Sequence, residues 1–276
     1  MPALVASDLD RTLIYSAAAL QLPGPDAPAG EAPPAPRLLC VELYEGKPLS
    51  YLTETAARLL RELAGTAVFV PTTTRTRAQY RRILLPGPAP RYAVCANGGH
   101  LLVDGESDPG WHRQVRELLA ARCAPLAEVR EHLLRTAGPE WVRAHRVAED
   151  LFVYLVVDRE RVPETWVKDL GVWAEERGWT VSLQGRKVYA VPQPLTKSAA
   201  VREVARRTGA GPVLGAGDSL LDADLLLAAD RAWRPGHGEL AGTGWTAPGV
   251  TALPERGVLA GERIVREFLW AARAHR

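Results

Sequence analysis

The chain has 276 residues, 47% of them hydrophobic and 24% charged, with a formal net charge of +2; that is enough apolar material for one large domain or two smaller ones. So small a charge excess argues against nucleic acid or an anionic membrane as partner, and no apolar run approaches membrane-spanning length. Three widely spaced cysteines without zinc or redox spacing, and a first strand starting within a few residues of Met1, lead us to expect a cytoplasmic protein with reduced thiols.

Leu4-Val5-Ala6 reads as a buried parallel strand ending in two carboxylates, Asp8 and Asp10, with Leu9 turned into the core. Ligand sites in open α/β sheets lie outside the carboxyl ends of the strands, so both acids are expected at such a crevice. Two neighbouring carboxylates repel unless a cation or a shared proton relieves them, and Mg²⁺ suits an all-oxygen site. The competing reading is that Asp8 and Asp10 only cap the next turn.

The segment 23–36 is too rich in proline and glycine for a helix or a central strand and is predicted as an extended surface loop. Leu38–Tyr44 and Gly46–Ser50 form a predicted hairpin, turning near Glu45-Gly46. Thr53 caps a helix with Leu59, Leu60 and Leu63 on one side. Thr66–Val70 is a second strand, closed by Pro71 and followed by Thr72-Thr73-Thr74-Arg75. A helix carrying Tyr80, Ile83 and Leu84 leads to a third strand, Tyr92–Ala96. Asn97-Gly98 is read as a hinge turn beginning the first crossing to a second lobe. Strands alternating with helices imply a doubly wound parallel sheet.

The rhythm changes near Asp104. Helices at 111–122 and 126–137, strands at 141–147 and 151–157, a helix at 163–177, and strands at 179–183 and 187–191 follow in turn. The order αββαββ, after one leading helix, implies an inserted α+β lobe with helices on one face of an antiparallel sheet. The βα rhythm then returns: Thr196 caps a helix from Lys197, Pro212–Asp218 is a strand ending in an acid, Asp222 opens the next helix, and Gly257 begins the last. Lysine occurs only at positions 47, 168, 187 and 197, which singles out Lys197 at a helix start. His237, between Gly236 and Gly238, is read as a loop residue near the site entrance, with no assigned role.

Three strand ends thus carry polar groups: Asp8 and Asp10, Thr72 and Thr73, and Asp218 with Asp222. Each has an ordinary reading as cap, turn or solvated residue. On one sheet edge they form the set phosphoryl transfer needs: a nucleophile, a cation for the non-bridging oxygens, and further donors.

With these residues in this order, the chain resembles the haloacid dehalogenase (HAD) superfamily of phosphatases. Asp8-Leu9-Asp10-Arg11-Thr12 corresponds to the first motif, Thr73 to the second, Lys197 to the third, and Gly217-Asp218-Ser219-Leu220-Leu221-Asp222 to the fourth. The insertion resembles the C2-type cap of the sucrose-phosphatase, trehalose-phosphatase, mannosyl-phosphoglycerate phosphatase and Cof-like group. The resemblance implies a Rossmann-like core from residues 1–104 and 193–276 and a cap from 105–192. It implies Asp8 as nucleophile, Asp10 as acid and base, Thr73 and Lys197 as phosphoryl-binding groups, and Mg²⁺ held at Asp8, the Asp10 carbonyl and Asp218, with Asp222 behind them. The expected substrate is a small phosphorylated metabolite, a phosphosugar first. A phosphosugar mutase and a non-catalytic phospho-ligand-binding protein are alternatives on the same scaffold. Candidate substrate contacts are Arg75 in the core, with pairing to a core acid as its other reading, and Arg143, His145, Arg146, Arg186 and Lys187 in the cap, with a merely solvated face as theirs. Arg11 departs from the usual Gly or Asn, Thr74 from Gly, and Leu221 from Asn, the last being expected to weaken the metal site.

Overall fold

The structure is a computed structural model that describes residues 1–22 and 35–275. Most of the proline-rich stretch predicted as a loop lies outside the described residues. The first strand, β1 (Leu4–Asp8), is buried throughout. A hairpin of β2 (Leu38–Tyr44) and β3 (Lys47–Thr53) follows, closed by Glu45 and Gly46, both with positive φ, as a two-residue turn of this type requires. Helix α1 (Glu54–Ala64) starts where predicted: the Thr53 hydroxyl accepts the Ala56 N–H at 2.9 Å.

Next come β4 (Val68–Thr72), the single-turn α2 (Arg77–Tyr80), β5 (Tyr92–Cys95), β6 (His100–Val103) and β7 (Glu106–Ser107). The second lobe holds α3 (Pro109–Arg122), α4 (Leu126–Thr136), β8 (Val142–Ala148), β9 (Phe152–Val157), α5 (Glu164–Glu175), β10 (Trp179–Gln184) and β11 (Lys187–Pro192). The chain returns through α6 (Lys197–Thr208), β12 (Val213–Ala216), α7 (Ala223–Ala228), β13 (Arg231–Arg234), α8 (Glu239–Gly242), β14 (Val250–Ala252) and α9 (Gly257–Arg273).

The large sheet has the order β14-β13-β12-β1-β4-β5-β6-β7, parallel from β14 to β5 and antiparallel at β6 and β7. From β1 the chain builds outward through β4 and β5, then returns to build through β12 on the other side. The carboxyl end of β1 therefore opens at the point where strand order reverses. Val5 faces the apolar cluster of α1 and α9, while Leu4 and Ala6 face that of α6 and α7. A separate antiparallel sheet, β10-β11-β9-β8, is covered by apolar residues of α4 and α5, among them Val129, Leu133, Leu170 and Ala174. Among the described residues no helix is long and apolar enough to cross a membrane, and all three cysteines are free.

Three predicted details shift. The second strand extends past Val70 through Pro71 to Thr72. Thr73 donates its N–H to the Val94 carbonyl, so by alternation the N–H that Pro71 lacks would also have faced β5. The β4–β5 ladder is accordingly short, with the single register pair Thr72–Val94. The helix expected around Ile83 is one turn only, and Ile83 instead bridges to Glu42. Asn97-Gly98 does not begin the crossing either: the chain first adds β6 and β7 to the large sheet. Asn97 Nδ2 donates to the Leu195 carbonyl at 2.7 Å, and at Gly98 (φ +104°) a Cβ would lie 2.2 Å from the Thr196 carbonyl oxygen. This turn fastens the outgoing strand to the returning one.

Candidate active site

Strand alternation puts Asp8 on the same side as Leu4 and Ala6, the side of α6. Lys197 is the first residue of α6, and the Thr196 side chain caps that helix by accepting the Ala199 N–H at 3.3 Å. The fully buried Lys197 ammonium donates to Asp8 Oδ1 and to Asp222 Oδ1, each at 2.5 Å. Burial works against its charge, but the two carboxylates overcome this and raise its pKa. The Asp8 carboxyl is pushed up from 3.8 to about 7, first by burial; Lys197 opposes the rise, while Asp222 and Asp10 add to it.

Asp218 follows β12 and meets the same cluster. Burial, and then its neighbours Asp8 and Asp222, hold its pKa well above the usual carboxylate range. Asp222 organises the loop: its Oδ2 accepts from the Asp218 N–H (3.1 Å), the Ser219 N–H (2.9 Å) and the Ser219 hydroxyl (2.7 Å). With Oδ1 on Lys197, both of its oxygens are committed. Leu221, expected to weaken this loop, is buried in the apolar cluster that runs from Ala96 and Leu195 into the second lobe.

Asp10 lies at the mouth and is gripped from the side by Arg75, with Nε–Oδ2 at 2.7 Å and Nη2–Oδ1 at 2.8 Å. Partial burial would raise the Asp10 pKa, yet this guanidinium wins and holds it low. Arg75 also forms an ion pair through Nη1 with Glu42 Oε1 at 2.8 Å, which Arg82 meets at 3.1 Å. The Ser50 hydroxyl donates to Glu42 Oε2 at 2.6 Å. Thr73 is buried and its hydroxyl accepts the Arg75 N–H at 3.1 Å, which leaves its own hydrogen for another acceptor. Thr72, the register partner of Asp8, carries a buried hydroxyl with no partner among the described residues.

Arg11 occupies the left-handed region (φ +64°), a conformation that suits the Gly or Asn usual there. Its carbonyl accepts from His237 Nε2 at 2.7 Å, while His237 Nδ1 accepts the Gly257 N–H at 3.0 Å, which fixes the Nε2–H tautomer. Burial lowers the His237 pKa to about 4, so the ring is neutral. The Arg11 side chain turns to Asp218 (Nε–Oδ2 3.3 Å). At Gly238 (φ +93°) a Cβ would stand 2.5 Å from an Asp218 oxygen, so this loop closes tightly on the site.

In the second lobe, the tip of the β10–β11 hairpin reaches the site. Gln184, Gly185, Arg186 and Lys187 line a cleft of about 420 Å³ together with Asp10 and Arg75. Glu239, at the start of α8, ties this hairpin to the core. It accepts from the Ser182 hydroxyl (2.6 Å), the Leu183 N–H (3.1 Å) and the Leu220 N–H (2.8 Å). Three candidates are not brought to the cleft. Arg143, His145 and Arg146 are all exposed on β8, whose successive side chains point to opposite faces, and Arg143 pairs with Asp158 at 2.7 Å.

The sequence matches no family model and no curated protein at a significant level. Solved structures match along the full length. The chain superposes on a Synechocystis sucrose-phosphatase, solved with sucrose and phosphate, at TM-score 0.61 and 16% identity, over 97% of this chain and 98% of that one. The chain has the haloacid dehalogenase fold. The C-terminal domain of a Candida albicans trehalose-6-phosphate phosphatase (TM-score 0.58, 14% identity, 99% and 92% covered) and a HAD subclass IIB sugar phosphatase (0.57, 13%, 99% and 100%) superpose likewise.

One divalent ion fits this HAD core. Carboxylate oxygens of Asp8, Asp218 and Asp222 all lie within 4.8 Å of one another in a buried cluster. Burial first, and then the neighbouring carboxylates, raise the pKa values of Asp8 and Asp218 against the opposing charges of Lys197 and Arg11. Hard oxygen donors around a charge deficit suit Mg²⁺. Both Asp222 oxygens are already taken by hydrogen bonds, so Asp8 and Asp218 are the residues that could hold such an ion directly.

Sequence reading missed Glu42, Glu239 and the anchoring role of His237. Glu42 did carry a signal, as a lone acid in the apolar run Leu38–Tyr44, and His237 stood between two glycines. Glu239 had none, because its partners come from two remote segments.

Proposed function

We propose that the protein is a Mg²⁺-dependent phosphatase acting on a small phosphorylated metabolite, a phosphosugar, through an aspartyl-phosphate intermediate, with residues 105–192 as a cap over a core of 1–104 and 193–276. The observation that carries this reading is the Asp8–Lys197–Asp222 contact beside Asp218, made by residues 8, 197, 218 and 222 of one chain. The solved sugar phosphatases of the same fold support the substrate class.

Lys197 holds Asp8 Oδ1, which leaves Oδ2 to attack phosphorus. The bond to the leaving oxygen breaks as Asp10 gives it a proton; water then gives its proton to Asp10 and attacks the phosphorus, freeing Asp8. Arg75 favours ionised Asp10, which suits the second step. For the first, Asp10 must take up a proton, and its position at the open mouth lets water supply one. Thr73 and Lys197 donate to the phosphoryl oxygens, while Asp222 keeps Lys197 and the Asp218 loop in place. A bound Mg²⁺ would neutralise the carboxylates and the developing phosphoryl charge.

Phosphate release from a panel of phosphosugars and an aryl phosphate tests this. Activity is expected with Mg²⁺, lost in EDTA and restored by Mg²⁺, and reduced at least about a thousandfold in Asp8→Asn, the scale on which removing a nucleophile acts. Turnover unaffected by chelation, or retained by Asp8→Asn, would refute the assignment.

A further inference from the structure

On the far side of the β10–β11 hairpin lies a second and larger cleft of about 690 Å³, open between the lobes, with Asp218 and Arg11 on its floor. It shares Arg11, Asp218 and the hairpin tip Gln184–Arg186 with the cleft at Asp10, so the same residues border both. The walls of the two clefts are basic. Arg186 projects from the hairpin tip, beside Gly185 (φ +54°), and Arg159 stands on the loop between β9 and α5. Both are exposed, and among the described residues neither guanidinium has a partner. Lys187, one residue beyond the tip, has its ammonium over the rings of Tyr154 and Tyr189, at 5.4 and 5.8 Å.

The acids facing the two clefts do not balance them. Asp218 is met by Arg11, Asp10 by Arg75, and Glu239 by three donors from Ser182, Leu183 and Leu220. Glu164, at the start of α5, is the remaining exposed carboxylate of the larger cleft. Two unpaired guanidiniums from separate loops, lining the cleft that reaches Asp218, are poorly suited to a neutral hydroxylated group, which gains little from their charge. They match the planar, bidentate geometry of a carboxylate or a phosphate. The larger cleft, about 690 Å³, has room for a sugar-sized group between such an anion and Asp218.

We propose that the natural substrate carries a second anionic group, a carboxylate or another phosphate, bound by Arg186 and Arg159 while its phosphomonoester lies at Asp8; this rests on the phosphatase reading above. The second anion orients the leaving group, and the wall arginines select among metabolites that share the same phosphoester.

Three compounds with one carbon skeleton test it: glucose 6-phosphate, 6-phosphogluconate, which adds a carboxylate, and glucose 1,6-bisphosphate, which adds a phosphate. With Mg²⁺ present, kcat/KM for at least one doubly charged probe is expected to exceed that for glucose 6-phosphate about tenfold or more, through KM, as charge-assisted hydrogen bonds allow. Preference for 6-phosphogluconate alone identifies a carboxylate and for the bisphosphate alone a phosphate. In the Arg159→Gln/Arg186→Gln double variant, checked for native circular dichroism, the ratio is expected to fall close to one. Equal values for all three compounds, or a preference that survives the double variant, would overturn the inference and leave the phosphatase reading standing. Should none of the three be hydrolysed, that reading is the one that fails for these sugars. Calorimetric dissociation constants for the same compounds then decide the arginine subsite by the same ratio.

Discussion

Asp8 shows how one residue carries both a cost and a function. Its folded-state pKa of about 7 stands above its ordinary 3.8, so the ionised form is disfavoured by folding. The sign follows: its contribution to stability is intact below pH 3.8 and is lost as pH rises through about 7. A divalent ion binding the carboxylates offsets that loss. The rise in Tm caused by Mg²⁺ is therefore expected to be larger at pH 8 than at pH 5, as differential scanning fluorimetry would read; a shift independent of pH would contradict the cluster as metal site. Lys197 works in the opposite sense, as the cation that makes three buried acids tolerable. Lys197→Met is expected to cost about 3–5 kcal/mol in urea denaturation, the scale of breaking a buried ion pair, with Mg²⁺ restoring part of it. Asp8, Lys197 and Asp218 were legible because each sits at a strand end or helix start that local pattern reveals. Glu239 and His237 were not, since their partners are remote in sequence and local pattern does not report them.

At the scale of elements, the β2–β3 hairpin is more than a surface flap. It brings Glu42, fully buried, to Arg75 and Arg82, and so braces the guanidinium that grips Asp10. Glu42→Gln removes the charge that two arginines share. The expected result is a loss of about 3 kcal/mol or more, faster amide exchange across β2 and β3, and a kcat reduced more than KM is raised. Unchanged exchange in the hairpin would show that Glu42 does not brace it. The hairpin itself was readable from Glu45-Gly46 between two apolar runs, and helix α1 from Thr53 and its leucine spacing. β8 shows what pattern leaves open: charges on a strand of the second lobe mark a solvent side as readily as a ligand side, and Arg143, His145 and Arg146 are exposed there. The start of β6 was misread because Gly98 looks like a hinge in sequence, whereas its lack of a Cβ permits close contact with Thr196.

Across the whole molecule, the doubly wound core and the antiparallel insertion followed from the change of rhythm near Asp104 and its return after Pro192. What pattern does not give is how the two lobes meet. Their contact rests on Glu239 reaching up to Ser182 and Leu183, on Glu149 reaching down to the Arg77 N–H and guanidinium at 2.8 Å, and on apolar contacts around Leu195 and Leu221. These clasps hold the basic hairpin tip over Asp218 and Arg11, and with it any substrate that fits beneath. In the proposed function this convergence makes Asp8 a nucleophile toward phosphorus. Acid quenching during turnover of a phosphosugar with Mg²⁺, followed by peptide mass spectrometry, measures it most directly. One phosphoryl group is expected on the peptide containing Asp8 and none in Asp8→Asn; steady turnover with that peptide never labelled, or a label that persists in Asp8→Asn, would refute the nucleophile.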